Sequence, residues 1–277
     1  MFPARLLVTD VDRTILTHGY ELPASVVGAF RALRDSGVRI VLATARSPEA
    51  VRPYAERLEL SDLVICFNGG WVGDVVSSAA RRSTSIERTS ALKVVEFALE
   101  RGLATLWYAN GNAYTVGRNP VAEREVEITG ETIAIVDTVA DLPAEPGKIM
   151  CVRTDPSDEC FDALKDAFSG NLMVAGSHWR LLEVGPLDVS KRTAIEALAG
   201  ELGIGAEDCV AAGDAENDLG MLRWAGTAVT VANAIDEIKA FAEFVGPSCD
   251  EGGMADVADW LRTRRDAEAN AVSQGGK

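Results

Sequence analysis

The order of apolar and polar positions divides the chain into stretches with two different rhythms. Leu6, Leu7 and Val8 form a short unbroken apolar run, which predicts a strand buried on both faces, as in parallel sheets. From Pro23 to Ser36 the apolar residues Val26, Val27, Phe30 and Leu33 fall on one helix face, and Gly37 supplies a stop. VRIVLAT (38–44) predicts a second buried strand. Ser47 and Pro48 then open a helix to about Leu58, and LVICF (63–67) predicts a third strand ending at Asn68-Gly69-Gly70. This β-α-β-α-β alternation predicts an α/β fold built on a doubly wound parallel sheet.

From about residue 71 the rhythm changes. Segments 71–76 and 81–86 can pair as a hairpin, 89–101 has a helical pattern, and TLWYA and AYTV flank the turn Asn110-Gly111-Asn112. Residues 132–136 and 148–153 read as extended and 156–168 as helical. Segments 171–175 and 179–184 read as a hairpin through Gly176-Ser177-His178. Strands outnumber helices here, which predicts an α+β module inserted into the α/β domain. The boundaries fall near 86 and 186, with Gly185-Pro186 as the hinge. Residues 1–86 and 186–265 would then form the core and 87–185 the insert.

The first rhythm returns with a helix capped by Ser190 and running to about Gly203. Strand CVAAG (209–213) ends at Asp214, a helix starts near Asn217, and TAVTV (227–231) is a further strand. A helix at 235–241, a short strand at 243–245 and a helix from 253 to about 264 complete the pattern. The small polar residues that follow predict a flexible tail over 266–277.

A net charge of −15 argues against nucleic acid or an anionic membrane as partner. No apolar run is long enough to span a membrane, and the opening residues lack the apolar stretch of an export leader. Five cysteines, odd in number and without a C-x-x-C pair, predict free thiols in a reducing compartment, the cytoplasm.

Four places put polar groups at strand ends or helix starts. Asp10 and Asp12 follow the first strand and share a side of the extended chain. Two carboxylates facing one point repel, and a hard cation such as Mg²⁺ relieves them. Thr44 ends the second strand, within ATARSP. Lys191 lies in the first turn of a helix, against the helix dipole, where a bound anion would account for it. In GDAEND (213–218), Asp214, Asn217 and Asp218 can face a single point, and Gly213 allows close backbone approach. His18 and His178 stand isolated in the sequence, with no visible metal-ligand partner, and Trp107 and Trp179 read as core residues of the insert.

Taken in order, these places resemble the motifs of the haloacid dehalogenase-like (HAD) hydrolase superfamily, and more closely its Cof-type phosphatase branch. DVDRT is similar to D-x-D-G-T, ATARS to T-G-R, FNGG to N-G-A, and DVSKRTAIEAL to the lysine motif. GDAENDLGMLRWAGTAVTVANAIDEIKAFAEFV resembles the G-D-x-x-N-D-x-x-M-L block and the N-A segment after it. The resemblance implies a Rossmann-like core with a mobile α+β cap and a Mg²⁺-dependent phosphatase acting through an aspartyl phosphate. It implies Asp10 as nucleophile, already ionised at neutral pH, and Asp12 as acid and base. It implies Mg²⁺ held by Asp10, Asp214 and the backbone carbonyl of Asp12, with Asp218 positioning waters. Thr44, Lys191 and Asn217 would bind phosphate, and Arg13, Arg46, Asn68 and Gly69 would contact substrate. The implied substrate is a small phosphorylated metabolite, such as a sugar or polyol phosphate. Alternatives on the same fold are a phosphomutase of the phosphomannomutase type and a non-catalytic binding module. Arg13 and Ala45 stand where the family has glycine, so the backbone at residue 13 is expected to suit a non-glycine residue.

Overall fold

The computed structural model describes residues 4–60, 63–157 and 159–275. Residues 1–3, part of the stretch read for a leader, lie outside the described residues. In chain order the first elements are β1 (Leu6–Thr9), α1 (Ala24–Asp35), β2 (Arg39–Leu42), α2 (Pro48–Arg57) and β3 (Val64–Cys66). Then come β4 (Trp71–Asp74), β5 (Ala79–Ser83), α3 (Arg88–Leu99), β6 (Ala104–Ala109), β7 (Asn112–Val116), α4 (Pro120–Thr129) and β8 (Ile133–Val136). Next are β9 (Lys148–Val152), α5 (Cys160–Phe168), β10 (Leu172–His178), β11 (Leu181–Pro186), α6 (Lys191–Glu201) and β12 (Cys209–Ala212). The last are α7 (Leu219–Trp224), β13 (Thr227–Val231), α8 (Asp236–Lys239), β14 (Phe244–Gly246) and α9 (Gly253–Gly275).

The chain divides into two compact units. The first comprises residues up to Thr44, Pro53–Val64 and the chain from Lys191. Its five-stranded sheet has the order β14-β13-β12-β1-β2, with neighbouring strands parallel. Leu6, Leu7 and Val8 are fully buried, as an apolar run in a central parallel strand requires. α1 buries Val26, Phe30 and Leu33, one face at helical spacing, and Gly37 at φ 91° ends it. α1 packs on α9, and α6 on α7.

The second unit comprises Ala45–Arg52 and Ile65–Ser190. It contains a six-stranded sheet of order β10-β11-β9-β6-β7-β8. Side chains alternate across it. Trp107, Ile149, Cys151, Leu182 and Val184 point to the face covered by α3 and α5, whereas Leu106, Tyr108, Met150 and Val152 pack with Ala122 and Val126 of α4.

Several expectations need correction. β3 belongs to a three-stranded sheet with β4 and β5, not to the five-stranded one. Phe67, Asn68 and Gly69 all take positive φ, and this left-handed turn brings β4 back beside β3. Residues 65–86 accordingly group with the second unit, tied by the Ile86 amide on the Pro146 carbonyl (2.8 Å) and by Gly147 against the Phe67 ring. The turn between β10 and β11 falls at Trp179-Arg180, because a bulge carries β10 on through His178, and Trp179 is 45% exposed, not core. Helix α9 runs on to Gly275 through the expected tail, since Ala and Glu favour helix and no Gly or Pro interrupts them; residues 276–277 lie outside the described residues. Helix α4 fills a stretch with no expected element. Asn119 caps it by accepting the amides of Val121 and Ala122, and Gly130 ends it in the left-handed region.

All five cysteines are free thiols, and no helix among the described residues is long and apolar enough to cross a membrane.

Candidate active site

The site grows from the place of β1 in the sheet. β1 lies between β12 and β2, so the chain leaves three adjacent strands at one edge carrying Asp10, Gly213-Asp214 and Thr44. The ladder extends past the strand ends: the Asp10 amide donates to the Ala212 carbonyl (2.8 Å) and the Ala43 amide to the Thr9 carbonyl (2.8 Å). That continuity fixes the Asp10 backbone against β12.

Around Asp10 the side chains form one connected network. The Lys191 ammonium, at the start of α6, lies 2.5 Å from Asp10 Oδ1 and 2.7 Å from Asp218 Oδ1. Thr14 Oγ1 lies between two acids, 2.9 Å from Asp214 Oδ1 and 3.3 Å from Asp10 Oδ2. Asp218 Oδ2 accepts the amides of Asp214 and Ala215, each at 3.0 Å. A Cβ on Gly213 would sit 2.5 Å from Asp218 Cβ, so only glycine permits this fold-back. Thr230 on β13 donates to the Gly213 carbonyl at 2.7 Å and anchors the strand end.

The turn after Asp12 carries a correction. Arg13 has φ 57°, the left-handed region that favours glycine, so the arginine occupies the conformation that the family's glycine would occupy without strain. Asn233 holds it there: its amide nitrogen donates to the Arg13 carbonyl (2.8 Å), while its oxygen accepts the Cys249 amide (2.8 Å).

The electrostatics are unbalanced. Asp10, Lys191, Asp214 and Asp218 are all buried, one ammonium against three carboxylates. Burial pushes the Asp10 carboxyl well above its ordinary range; Lys191 opposes the rise, and Asp218, Asp214 and Asp12 add to it. Asp214 is pushed up to about 7, by burial first and then by Asp218. For Lys191 burial works against the charged form, but Asp10 and Asp218 outweigh it and hold the ammonium above the ordinary lysine range. Its place against the helix dipole is thus explained by two carboxylates.

Surplus negative charge with oxygen donors is the chemistry of a hard divalent cation. Carboxylate oxygens of Asp10, Asp214 and Asp218 lie within 4.8 Å of one another. Asp218, however, commits Oδ1 to Lys191 and Oδ2 to two backbone amides. Asp10 and Asp214 are the acids that fit as ligands, and Asp218 positions the groups around them.

Asp12 and Arg13 are half-buried on the same turn, Thr44 is fully buried just past β2, and Asn217 is half-buried in the short helix Glu216–Asp218 before α7. Arg46, Asn68 and Gly69 belong to the second unit. There Arg46 is buried, its guanidinium 3.5 Å from the Ala50 carbonyl, and its own carbonyl accepts the Phe67 amide. The second unit also holds a cavity of about 440 Å³, lined by residues including Ser47, Arg52, Tyr108, Asn112 and Glu131, none of them a site residue expected from the sequence. Within the core site, sequence reasoning passed over Thr14 and Asn233. Thr14 was visible as the last residue of DVDRT, whereas only the fold brings Asn233 to Arg13.

Residues 7–257 match the haloacid dehalogenase-like hydrolase family. The phosphoglycolate phosphatase of Archaeoglobus fulgidus is 26% identical over 267 residues, covering 94% of this chain and 98% of that protein. A haloacid dehalogenase-like hydrolase from Bacteroides thetaiotaomicron superposes with a TM-score of 0.82 at 23% identity, covering 93% of this chain and 99% of its own. The HAD subclass IIB sugar phosphatase BT4131 superposes with a TM-score of 0.80 at 20% identity, covering 93% of this chain and 98% of its own.

Proposed function

The chain belongs to the haloacid dehalogenase-like hydrolase family and is a phosphoric monoester hydrolase; we propose that it works through Asp10 on a small sugar or polyol phosphate. The observation that carries this reading is the buried cluster of Lys191 among Asp10, Asp214 and Asp218, with Thr14 between two of the acids. A neutral structural network would balance its charges; this one carries a negative surplus that a cation would offset. The similarity to a phosphoglycolate phosphatase and a sugar phosphatase supports a small phosphate ester as the substrate class.

In this reading Asp10 attacks phosphorus in line, and its oxygen becomes the bridging atom of an aspartyl phosphate. Lys191, held by Asp218, keeps the Asp10 carboxylate oriented and offers its remaining donor capacity to a phosphoryl oxygen. Thr44, past the end of β2, and Asn217, in the short helix after β12, would bind the other phosphoryl oxygens. Asp12, two residues on, protonates the leaving alkoxide and then takes a proton from the water that cleaves the intermediate. Mg²⁺, held by the Asp10 and Asp214 carboxylates and the Asp12 carbonyl, would supply the positive charge that admits an anionic ester.

The test is a panel of sugar and polyol phosphates with Asp10→Asn beside the wild type, in Mg²⁺ and in EDTA. The substitution keeps the shape and removes the nucleophile, so turnover should fall by more than about a hundredfold, ~2.7 kcal/mol, with unchanged circular dichroism. A variant retaining more than about a hundredth of the activity, or a wild type fully active in EDTA, would overturn the covalent, metal-assisted route.

A further inference from the structure

His18, Cys249 and Asp250 converge at a place that takes no part in the proposed chemistry. His18 Nδ1 lies 2.9 Å from Asp250 Oδ2 and 3.5 Å from Cys249 Sγ, and Sγ lies 4.0 Å from Asp250 Oδ1. Histidine and cysteine are 231 residues apart in the chain, so the fold, not local sequence, assembles the group. The sequence expectation of a His18 without ligand partners is corrected here.

Two kinds of chemistry use these three residue types. A nucleophilic relay needs the imidazole to face the thiol with one nitrogen and the carboxylate with the other. Here both approach the same nitrogen, which rules out that arrangement. Donors gathered on one point instead describe ligands around an ion. Tetrahedral zinc, with Zn–S about 2.3 Å and Zn–N about 2.0–2.1 Å, separates sulfur from nitrogen by about 3.5 Å. The Sγ to Nδ1 distance of 3.5 Å meets that geometry. Nδ1 and Asp250 Oδ2, hydrogen-bonded at 2.9 Å, would part by about 0.5 Å to admit the ion.

The donors are also held in place. The His18 amide donates to Asp250 Oδ1 at 2.8 Å, which aims Oδ2 at the ring, and the Cys249 amide donates to Asn233 Oδ1 at 2.8 Å. Ser248 caps the turn by accepting the Asp250 amide, and Gly252, in the left-handed region, closes it. Cys249 is 1% exposed, whereas the His18 and Asp250 side chains are 47% and 53% exposed. The ion would therefore be reached from solvent and keep a water in its fourth position.

We propose that His18, Cys249 and Asp250 form a second metal site, selective for a thiophilic ion of the Zn²⁺ class and separate from the Asp10–Asp214 cluster. A soft sulfur donor with imidazole favours such an ion over Mg²⁺, which takes oxygen ligands. Binding releases the thiol proton, and the Nδ1 proton where that nitrogen carries it. Asn233 accepts the Cys249 amide and donates to the Arg13 carbonyl, so an ion here would brace the turn beside Asp12 without touching it.

Co²⁺ is the probe, titrated into the full-length protein in excess Mg²⁺. One equivalent should give a thiolate-to-cobalt charge-transfer band that Zn²⁺ displaces. Cys249→Ser should abolish the band, and Asp214→Asn should leave it intact. His18→Ala and Asp250→Asn change solvent-exposed side chains, so the fold should survive, and each should weaken Co²⁺ binding by about tenfold or more. A band that persists in Cys249→Ser, an affinity unchanged in His18→Ala, or no band in the wild type would overturn the site.

Discussion

Each unit of the molecule buries one lysine among acids, and the two are built to opposite ends. In the second unit the Lys148 ammonium lies 3.0 Å from Glu183 Oε2, donates to the Ala45 carbonyl at 2.8 Å, and sits 4.4 Å above the centre of the Tyr108 ring. One cation meets one anion directly, with a backbone carbonyl and a π face as further contacts. In the first unit Lys191 meets two carboxylates directly, with a third, Asp214, linked through Thr14. The first arrangement closes its charge account and the second leaves it open. Burial makes the distinction costly, because unbalanced charge in a low-dielectric interior is paid in full. A surplus that folding has not removed marks the place where something else binds.

The largest expected effect breaks the closed pair. Lys148→Met leaves Glu183 buried with, among the described residues, only the Ser177 hydroxyl (3.1 Å) as hydrogen-bond donor, and should cost about 3–5 kcal/mol. Adding Glu183→Gln should restore most of that loss. Urea unfolding of the single and double variants measures both, and a double variant no better than the single would mean that Lys148 acts through packing rather than charge.

The open cluster should respond to a cation and to pH together. Asp214 sits at about 7 in the folded chain against an ordinary value of 3.8, so the folded state keeps a proton that the unfolded state releases. Metal-free stability should therefore fall as pH rises from about 4 to about 7. Mg²⁺ needs the carboxylate, so its stabilisation should be small near pH 6 and larger near pH 8. At about a hundredfold excess over Kd, binding to the folded state alone is worth about 2.7 kcal/mol. Melting curves with and without Mg²⁺ at the two pH values test this, and equal shifts at both would show that the Asp214 proton does not compete with the metal.

The smallest effect concerns the turn beside the cluster. Arg13→Gly should relieve a left-handed arginine, worth ~1–2 kcal/mol, against ~0.5–1 kcal/mol of added freedom in the unfolded chain. A net gain of up to about 1.5 kcal/mol is expected in thermal unfolding. Arg13 also favours the charged form of Asp214, so the variant should move the pH dependence of Mg²⁺ binding upward. A loss of stability instead would mean that the arginine side chain repays its strain.

Strand ends were readable because an apolar run that stops at Asp10 or Asp214 states both the element and its polar terminus. Gly213 was readable for the same reason, as a position where only hydrogen fits. Helix α4 escaped because its apolar stripe is thin, only Ala122 and Val126 being buried among its apolar residues, although its caps at Asn119 and Gly130 were in plain view. The role of Asp218 could not be read, since spacing places a carboxylate near a point but does not say which hydrogen bonds occupy its oxygens. His18 and Cys249 escaped for a different reason: nothing local marks two residues that meet only after the sheet and its loops have formed.

The central position of β1 also sets a timetable. Its pairing with β2 is nearly local, but its other edge pairs Leu6–Thr9 with Cys209–Ala212, and Thr14 must find Asp214 across 200 residues. During synthesis that edge stays unpaired until β12 emerges, while the second unit, encoded between them, can fold first. Such a distant closure is entropically slow. An apolar strand with an open edge is meanwhile a template for wrong partners. The acids of the site therefore come together only once β12 has formed, and truncation before residue 209 leaves Asp10 without the strand that positions it.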